Sequence, residues 1–593
     1  MKLPNRTLLL LSSPLVVRGT PVPAADGDIL LSQLNQTLEG RVQTTQPILS
    51  PCFSDSSSSA CNSLKHSLSS PFYRADQYPS FQNLQGEACI SDPSNQCSLP
   101  GQSNSSVCNQ GVLAQHYLEI TSASDVQAVF DSSIKNKPII SIKNTGHDYN
   151  MRSSSRRKMQ GQEDQVEIAL WTRNLKSMVY HPSFVPSGCV RGSVPAVKGI
   201  TLGAGVSTSE AMAFAHSHNL SLPMGASNPS VGIAGGWLLN GGHGVLTNGY
   251  GLAVDRVLEF KIVTPDSSVR VLNACQERDL FWALRGGGGG SFGVVLEATM
   301  LVEDDSGPVV SAMMMFPLGS DPQLREWVGI LAEHATEWAL AGWGGPSGAN
   351  LSLLVNPFLG ETGVEEARKM LAPAIEFVEK QTGGFAMVDS YPSWYEYWVN
   401  NINATADGPG QDGRSVATFT TSRIIPERVF EQTEARRDLV DLLVELTGGA
   451  SDLGKGMVTY FLADVPLRYS KLGEGTGRSN ETSIHPAWYN SVWHVVSYGG
   501  FPASAGLEER RKVVSGMSDI TTRLASVAPD GCTYSNEADP WMKDWSTQFW
   551  GDENYKKLVA VKREVDPQNL LTCWHCVGWT PEEDGYECIS GLA

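Results

Sequence analysis

In Ile142-Lys143-Asn144-Thr145-Gly146-His147-Asp148-Tyr149 a glycine frees the backbone, an imidazole follows it, and Ser153, Ser154 and Ser155 stand close behind. A neutral imidazole is both a proton carrier and a nucleophile, while turn amides and hydroxyls bind anions. Such a turn suits an anionic, planar cofactor. A Gly-His pair after a strand is also an ordinary turn, so the remaining sequence has to decide.

Two more stretches bear on that choice. Gly225 to Gly244 reads GASNPSVGIAGGWLLNGGHG, with its glycines set among apolar residues rather than among serines. That pattern means packed backbone which another group approaches closely, and amides in such turns form anion-binding nests. Gly286 to Gly290 is a run of glycines between Asp279-Leu280-Phe281-Trp282-Ala283-Leu284-Arg285 and the apolar Val294-Val295, which predicts tight passage beside a flat ligand. Dinucleotide and nucleoside-triphosphate fingerprints are excluded. Gly203-x-Gly205 lacks the third glycine of the former, and no Gly-x-x-x-x-Gly-Lys-Ser/Thr run exists.

The elements that must position these groups follow from periodicity. A strand, Pro138 to Ile142, runs into the histidine turn, and a helix at Ser124 to Phe130 precedes it with Ser122 or Ser124 as N-cap. Further strands are predicted at 166–171, 201–206 and 257–263. Beyond about residue 301 glycine thins out, strand patterns fall at 309–316, 351–355, 417–424, 457–462 and 492–498, and helical patterns at 324–340, 364–379, 426–446 and 507–527. The expected fold is α+β: one lobe at 110–300, and a second at 301–530 built as an antiparallel sheet with helices on a single face. An aromatic-rich segment, 531–580, could join either lobe, and 581–593 is a tail. Residues 25–109, rich in Ser, Gln, Asn and Cys, predict an extension with little regular structure and no functional content, tied down by disulfides.

With 62 acidic against 44 basic residues the chain carries a net charge of −18, which argues against nucleic acid and suits an acid-tolerant extracellular protein. Residues 1–24 have the basic start and short apolar run of a secretory signal, and no later apolar segment is long enough to span a membrane. The cysteines, 11 in all, crowd the extension at Cys52, Cys61, Cys89, Cys97 and Cys108, and the glycosylation pattern recurs at Asn35, Asn104, Asn219, Asn350, Asn403 and Asn480. Both agree with secretion. Cys573-Trp574-His575-Cys576 reads as disulfide chemistry rather than a metal site, since no second ligand pair accompanies it.

Taken together, Lys143 to Tyr149 with Arg152-Ser153-Ser154, Val231-Gly232-Ile233-Ala234-Gly235-Gly236, Gly251-Leu252-Ala253-Val254-Asp255, Asp279 to Gly288 and the closing Tyr534-x-Asn536 resemble the berberine bridge enzyme branch of the vanillyl-alcohol oxidase type of FAD-linked oxidases, especially its secreted fungal members. The resemblance implies a two-subdomain FAD lobe, a substrate lobe over the isoalloxazine and a C-terminal segment returning to the cofactor. It implies covalent attachment of the flavin's 8α carbon to His147. The contacts it implies run through Asn144, Thr145, Gly146, Asp148, Ser153, Ser154, Gly225, Val231, Gly232, Gly235, Gly236, Asn240, Gly241, Gly242, His243, Val294, Tyr534 and Asn536. Where many members carry a second attaching cysteine, this chain has Ser227-Asn228-Pro229-Ser230, so His147 is the one expected tether. Asn240 stands where the pattern usually has glycine and puts a side chain near the ligand path.

The expected reaction is hydride removal from an alcohol, sugar or secondary-metabolite substrate, with O2 as electron acceptor and hydrogen peroxide as product. Tyr460, His494 and Tyr534 are the candidate bases. No metal is expected. The competing reading is a glycoprotein that keeps the fold, with or without flavin, and acts by binding.

Overall fold

The computed structural model describes residues 26–593 except 100–106, 159–161, 163, 191, 306, 361–362, 404–415, 449–456, 474–480 and 582–584. The signal at 1–24 and the Asn104 and Asn480 glycosylation patterns lie outside the described residues. Two larger sheets, with a small pair Leu220–Ser221 and Glu303–Asp304, make the first lobe. In one, strands Val42–Thr44, His116–Glu119, Glu167–Trp171 and Ile139–Lys143 lie in that order, antiparallel at the first pair and parallel thereafter. In the other, Met178–Phe184, Val197–Gly203, Val294–Leu301, Val257–Val263 and Val269–Asn273 are antiparallel throughout.

The helix expected at Ser124 extends over Ala123–Asn136 with Ser122 as N-cap. The Asp125 carboxylate accepts the backbone N–H groups of Thr121 at 2.8 Å and Ser122 at 3.1 Å, satisfying donors that no helical carbonyl can reach. Its apolar face, Val126, Val129 and Phe130, packs on Leu118, Ile140 and Ile168 of the parallel strands. This packing fixes the end of Ile139–Lys143, and with it the start of the histidine turn.

The second lobe is a 7-stranded antiparallel sheet in the order Phe385–Tyr391, Val309–Met315, Leu351–Asn356, Pro346–Ser347, Val458–Leu462, Ser491–Pro502, Val416–Pro426. Helices Asp321–Ala341, Ala372–Lys380 and Thr433–Thr447 bury Leu324, Trp327, Leu331, Phe377, Leu439 and Leu443 against one face, with Val310, Ala312, Met314 and Phe461 from the sheet. From the opposite face Val309, Val355 and Phe419 join the core that continues into the first lobe. The reactive groups described below sit at this junction.

The predicted helix at 364–379 is two helices, Gly363–Met370 and Ala372–Lys380. Pro373 lacks an N–H and its ring clashes with the preceding turn, so the chain restarts there. Similarly, 426–446 divides into Glu427–Glu431 and Thr433–Thr447 at Gln432, whose φ and ψ are −91° and 116°. Strands Pro346–Ser347 and Phe385–Tyr391 were not expected. The second is an edge strand burying one residue, Val388, so its sequence lacks the alternation of a half-buried strand.

Residues 25–109 depart furthest from expectation. They form helices Asp26–Thr37, Ser50–Ser54, Ser59–Ser67 and Pro71–Ala75, and their strand Val42–Thr44 completes the parallel sheet. Disulfides Cys52–Cys61 and Cys97–Cys108 close short loops, while Cys89–Cys588 ties the extension to the chain's last residues. Cys189–Cys275 and the expected Cys573–Cys576 complete the described set, and Cys532 is free and buried. No described helix is long and apolar enough to cross a membrane.

The extension also buttresses the histidine turn. Lys143, fully buried, donates from Nζ to the carbonyls of Gln77, Tyr78 and Ser80 at 2.9, 2.8 and 2.7 Å, and burial pulls its pKa down to about 7. Gln82 donates its backbone N–H to the carbonyl of Gly146 at 3.2 Å. Lys143→Met leaves three buried carbonyls without a donor, so its expected result is a loss of about 3 kcal/mol of stability. A thermal midpoint unchanged from wild type would contradict this role.

Candidate active site

His147 lies at the foot of the turn, one residue beyond Gly146, whose φ of +81° is open to glycine without strain. Its Nε2 is 2.7 Å from the Ser230 hydroxyl. Burial, and then the charges of Arg74 and Lys143, push its pKa down to about 3, so the ring is neutral. The turn grips the glycine-rich run beside it. Thr145 Oγ1 accepts the Gly232 N–H at 3.3 Å, and Asn144 Nδ2 donates to Thr172 Oγ1 at 3.2 Å and to the carbonyl of Ala204. A Cβ on Gly232 would lie 2.2 Å from Asn144 Oδ1, and one on Gly235 3.0 Å from Asn144 Nδ2. Side chains are therefore excluded at both positions. Asp148 closes the turn by accepting the N–H groups of Asn150 at 3.0 Å and Ser153 at 2.6 Å.

A second cluster begins where Ile233–Trp237 makes a π-turn broken by non-helical φ and ψ at Ala234 and Gly235. Asn240 is its hub. Its Nδ2 donates to the Gly236 carbonyl at 2.7 Å, and its Oδ1 accepts from Arg152 Nη1 at 3.1 Å and Ser535 Oγ at 2.8 Å. Asn536 reaches the same carbonyl at 3.3 Å, donates to the Tyr534 hydroxyl at 2.6 Å and accepts from Arg152 Nη2. Thus Tyr534-x-Asn536 returns to the first lobe, and the side chain at Asn240 is what receives it.

Behind Tyr534 two imidazoles alternate with two carboxylates. His243 bonds through Nδ1 to Asp464, and its Nε2 lies 3.4 Å from Glu537 Oε1. His494 Nε2 lies 3.4 Å from Glu537 Oε2, and its Nδ1 3.8 Å from Asp464 Oδ1. Tyr534 meets His243 edge-on at 4.9 Å, and Trp488 packs edge-on against Tyr534 at 5.7 Å. His494 is 0% exposed and His243 8%, while Glu537 is half-buried.

Burial opposes charge on His243, yet Asp464 and Glu537 outweigh it and raise its pKa to about 10. Burial likewise pushes the Glu537 carboxyl up, and the charge on His243 turns the net shift downward. His494 is held down at about 4, by burial first. At neutral pH His243 is an imidazolium set between Asp464 and the ionised Glu537, with the neutral imidazole of His494 beside them. The unpaired atoms are Glu537 Oε2, Asp464 Oδ1 and both nitrogens of His494. An ionised, desolvated carboxylate with a free oxygen can take a proton, and its neighbours set the level at which it does so. His243, His494 and Glu537 also offer ligand atoms within 4.8 Å of one another, a grouping the sequence had not suggested. His243 already commits both nitrogens to carboxylates, which the acid–base reading accounts for.

Most of the expected site residues converge on these two clusters, although some take other work. His243, expected against the flavin, is part of the charge cluster. Ser154 donates to the Gly86 carbonyl at 3.2 Å, Val231 offers its carbonyl to Thr208, and Gly225 packs where a Cβ would strike Met212 Cε at 2.8 Å. Val294 is fully buried in the first-lobe core, paired with Val263. Gly241 and Gly242 have φ of +125° and +70° and carry the chain from Asn240 to His243. Tyr460 stands at the margin, edge-on to Tyr498 at 6.2 Å, and Tyr149 packs on the same ring at 6.1 Å. Asp464, Glu537, Arg152 and Ser230 were not among the expected site residues. Glu537 had a local signal in directly following Tyr534-x-Asn536, and Arg152 and Ser230 lie within the quoted motifs; Asp464 had none.

These residues fit FAD. Among the described residues the N–H groups of Gly146, His147 and Asp148 meet no backbone or side-chain acceptor, and Asn144 Oδ1 is likewise unpaired. Successive free amides at the end of a strand are a cradle for a pyrophosphate. A Cβ at Gly236 would meet only Asn240 Nδ2, at 3.9 Å, which leaves bare backbone there, facing Gly289, for a flat ring.

Known proteins agree. A model of the FAD binding domain matches residues 191–273, and one described as berberine and berberine like matches 533–575. The FAD-linked oxidoreductase cheF of Chaetomium globosum is 36% identical over 99% of this chain and 91% of its own length, and the FAD-linked oxidoreductase OXR2 of Pyricularia oryzae is 35% identical over 97% and 96%. The crystal structure of the VAO-type flavoprotein MtVAO615 from Myceliophthora thermophila C1 superposes with a TM-score of 0.78 at 26% identity, covering 94% of this chain and 96% of that one. With its two-lobed α+β fold, its histidine turn and its returning C-terminal segment, the chain belongs to the berberine bridge enzyme-like FAD-linked oxidoreductases of the vanillyl-alcohol oxidase superfamily.

Proposed function

We propose that the protein is a secreted oxidase in which FAD is attached through His147 alone and Glu537 is the base. When bound, FAD supplies the two-electron oxidation of an alcohol, sugar or secondary-metabolite substrate and delivers the electrons to O2 as hydrogen peroxide. The observation that carries the reading is the unpaired, buried Oε2 of a half-buried, ionised Glu537, aligned by His243 and bordered by His494 and Tyr534. Glu537 takes the proton from the substrate's hydroxyl or amine. His243, anchored by Asp464, keeps Glu537 ionised, and His494 receives or returns the proton next.

Tyr534 serves as a donor rather than a base. Burial pushes its phenol far up, and its oxygen already accepts from Asn536. Tyr149, Tyr460 and Tyr498 form an aromatic wall on the substrate-lobe side, suited to holding an apolar or ring-bearing substrate. The disulfides support passage through an oxidising compartment, and glycosylation at the described acceptor patterns would accompany it.

The test is a substrate panel read by peroxide release, run beside acid precipitation of the wild type and His147→Ala. The expected results are peroxide with at least one substrate, flavin colour retained in the wild-type pellet, and colour released to the supernatant by His147→Ala. Freshly purified wild type without flavin overturns the oxidase reading. Equal acid-stable flavin in both proteins overturns the attachment.

A further inference from the structure

Where a second attaching cysteine would stand, this chain has hydroxyl and amide groups bonded in series to His147. We infer that Asn228 and Ser230 are positioning residues that fix the tautomer of His147, leaving Nδ1 as the attaching nitrogen. The inference rests on the attachment proposed above and adds which groups direct it.

The argument is a count of protons. Asn228 Oδ1 accepts the backbone N–H of Ser230 at 3.0 Å, which identifies that atom as the amide oxygen. The same oxygen accepts the Ser230 hydroxyl at 2.9 Å. A hydroxyl has one proton, and this one is spent on Asn228. Toward His147 Nε2, 2.7 Å away, Ser230 Oγ therefore presents lone pairs, and Nε2 must carry the hydrogen. A neutral imidazole has one N–H, so Nδ1 holds the lone pair and is the nucleophile.

The relay is held rigidly. Ser230 is fully buried, and the backbone on either side is pinned to the start of helix Thr208–Ser217, with Ser209 N–H donating to Pro229 O at 3.0 Å and Thr208 N–H to Val231 O at 2.8 Å. Burial keeps the ring neutral, as the proton count requires. When Nδ1 bonds to the 8α carbon, one methyl C–H bond breaks. Its proton leaves, its electron pair stays with the ring system, and O2, the acceptor already named, removes the two electrons. Bond formation at Nδ1 leaves the ring cationic with its Nε2–H toward Ser230, and loss of that proton gives the neutral N-alkylated imidazole and the second proton of the hydrogen peroxide.

Wild type, Ser230→Ala, Ser230→Thr and Asn228→Ala are compared for total flavin, for the rate at which flavin becomes acid-stable on reconstitution with FAD, and for the isomer of histidyl-flavin in the acid hydrolysate. Ser230→Ala should bind flavin but attach it about tenfold more slowly, the scale of losing one orienting hydrogen bond, and Ser230→Thr should restore the rate. Attachment by Ser230→Ala at the wild-type rate, or a wild-type linkage through Nε2, overturns the relay. If wild type holds no acid-stable flavin the attachment reading fails instead, and the 15N spectrum of His147 then decides the relay. A protonated Nε2 and bare Nδ1 in wild type, lost in Ser230→Ala, uphold it. A protonated Nδ1 in wild type refutes it.

Discussion

Glu537→Gln should lower kcat/KM by about a hundred- to ten-thousand-fold, the range expected when a positioned general base is removed, while flavin content and folding stay as in wild type. Glutamine keeps the size of the side chain and an oxygen facing His243 Nε2, 3.4 Å away in the parent, so the packing of Tyr534 and Trp488 is undisturbed. What it lacks is the capacity to take a proton. Rapid-mixing absorbance at the flavin band with any substrate that releases peroxide measures the effect, and a fall of less than about threefold would remove Glu537 from the base position. The pH profile gives a second reading. Because the charge on His243 draws the Glu537 carboxyl below its ordinary range, the acid limb of kcat/KM should lie below the usual glutamate value, and His243→Gln should move that limb upward.

The second large effect is on stability in acid. His485, His494 and His575 are held at about 4, 4 and 3, in each case chiefly by burial, with Arg423 adding at His485, His243 at His494 and Arg152 at His575. Glu537 and Asp464 act in the opposite sense at His494. Unfolded histidine titrates near 6.5. Between that value and the folded ones the unfolded chain binds more protons, so stability rises with pH across the window and falls as pH drops from about 6.5 toward 4. Each histidine contributes at most about 1.4 kcal/mol per pH unit, and three together reach the scale of a domain's whole stability.

His243 works the other way. Raised to about 10, its contribution is complete below 6.5 and is lost as pH climbs through 10. The thermal midpoint should therefore peak near neutrality, and His575→Asn, at a φ of +55° that asparagine tolerates, should flatten the acid side. A midpoint level from pH 7 to 4 would contradict the burial of these rings. The acidic composition had pointed toward acid tolerance; the interior points away from it.

The strands expected at 138–142, 166–171 and 257–263 and the helix Leu507–Val527 were readable because local periodicity and caps determine them. By contrast, Met178–Phe184 and Val269–Asn273 were not expected, and the strand placed at 201–206 is Val197–Gly203. Pro373 was equally visible, and it deserved more weight than the apolar period around it. The helices of residues 25–109 were hidden by composition. Ser59–Ser67 reads SACNSLKHS, with polar residues on nearly every side, and is held by Cys52–Cys61 rather than by a broad apolar stripe. The active site was legible wherever its parts adjoin in the chain, as at Gly146-His147 and Tyr534-x-Asn536. It was not legible at Asp464, an unremarkable carboxylate past a strand end, because its meaning lies in a partner 221 residues away. Ser230 was noticed only as something that is not cysteine, and its bond to His147 spans 83 residues.

The disulfide Cys89–Cys588, whose cysteines lie 499 positions apart in the chain, sets an order on the making of the protein. Cys588 is made long after Cys89, so Cys89 must stay unpaired through the synthesis of everything between them while Cys97 and Cys108, a few residues on, find each other. The segment that supports the histidine turn is consequently made well before it is secured. Once closed, the bond turns most of the polypeptide into a single covalent ring, and a protease that cuts one surface loop within it yields a nicked molecule instead of two fragments.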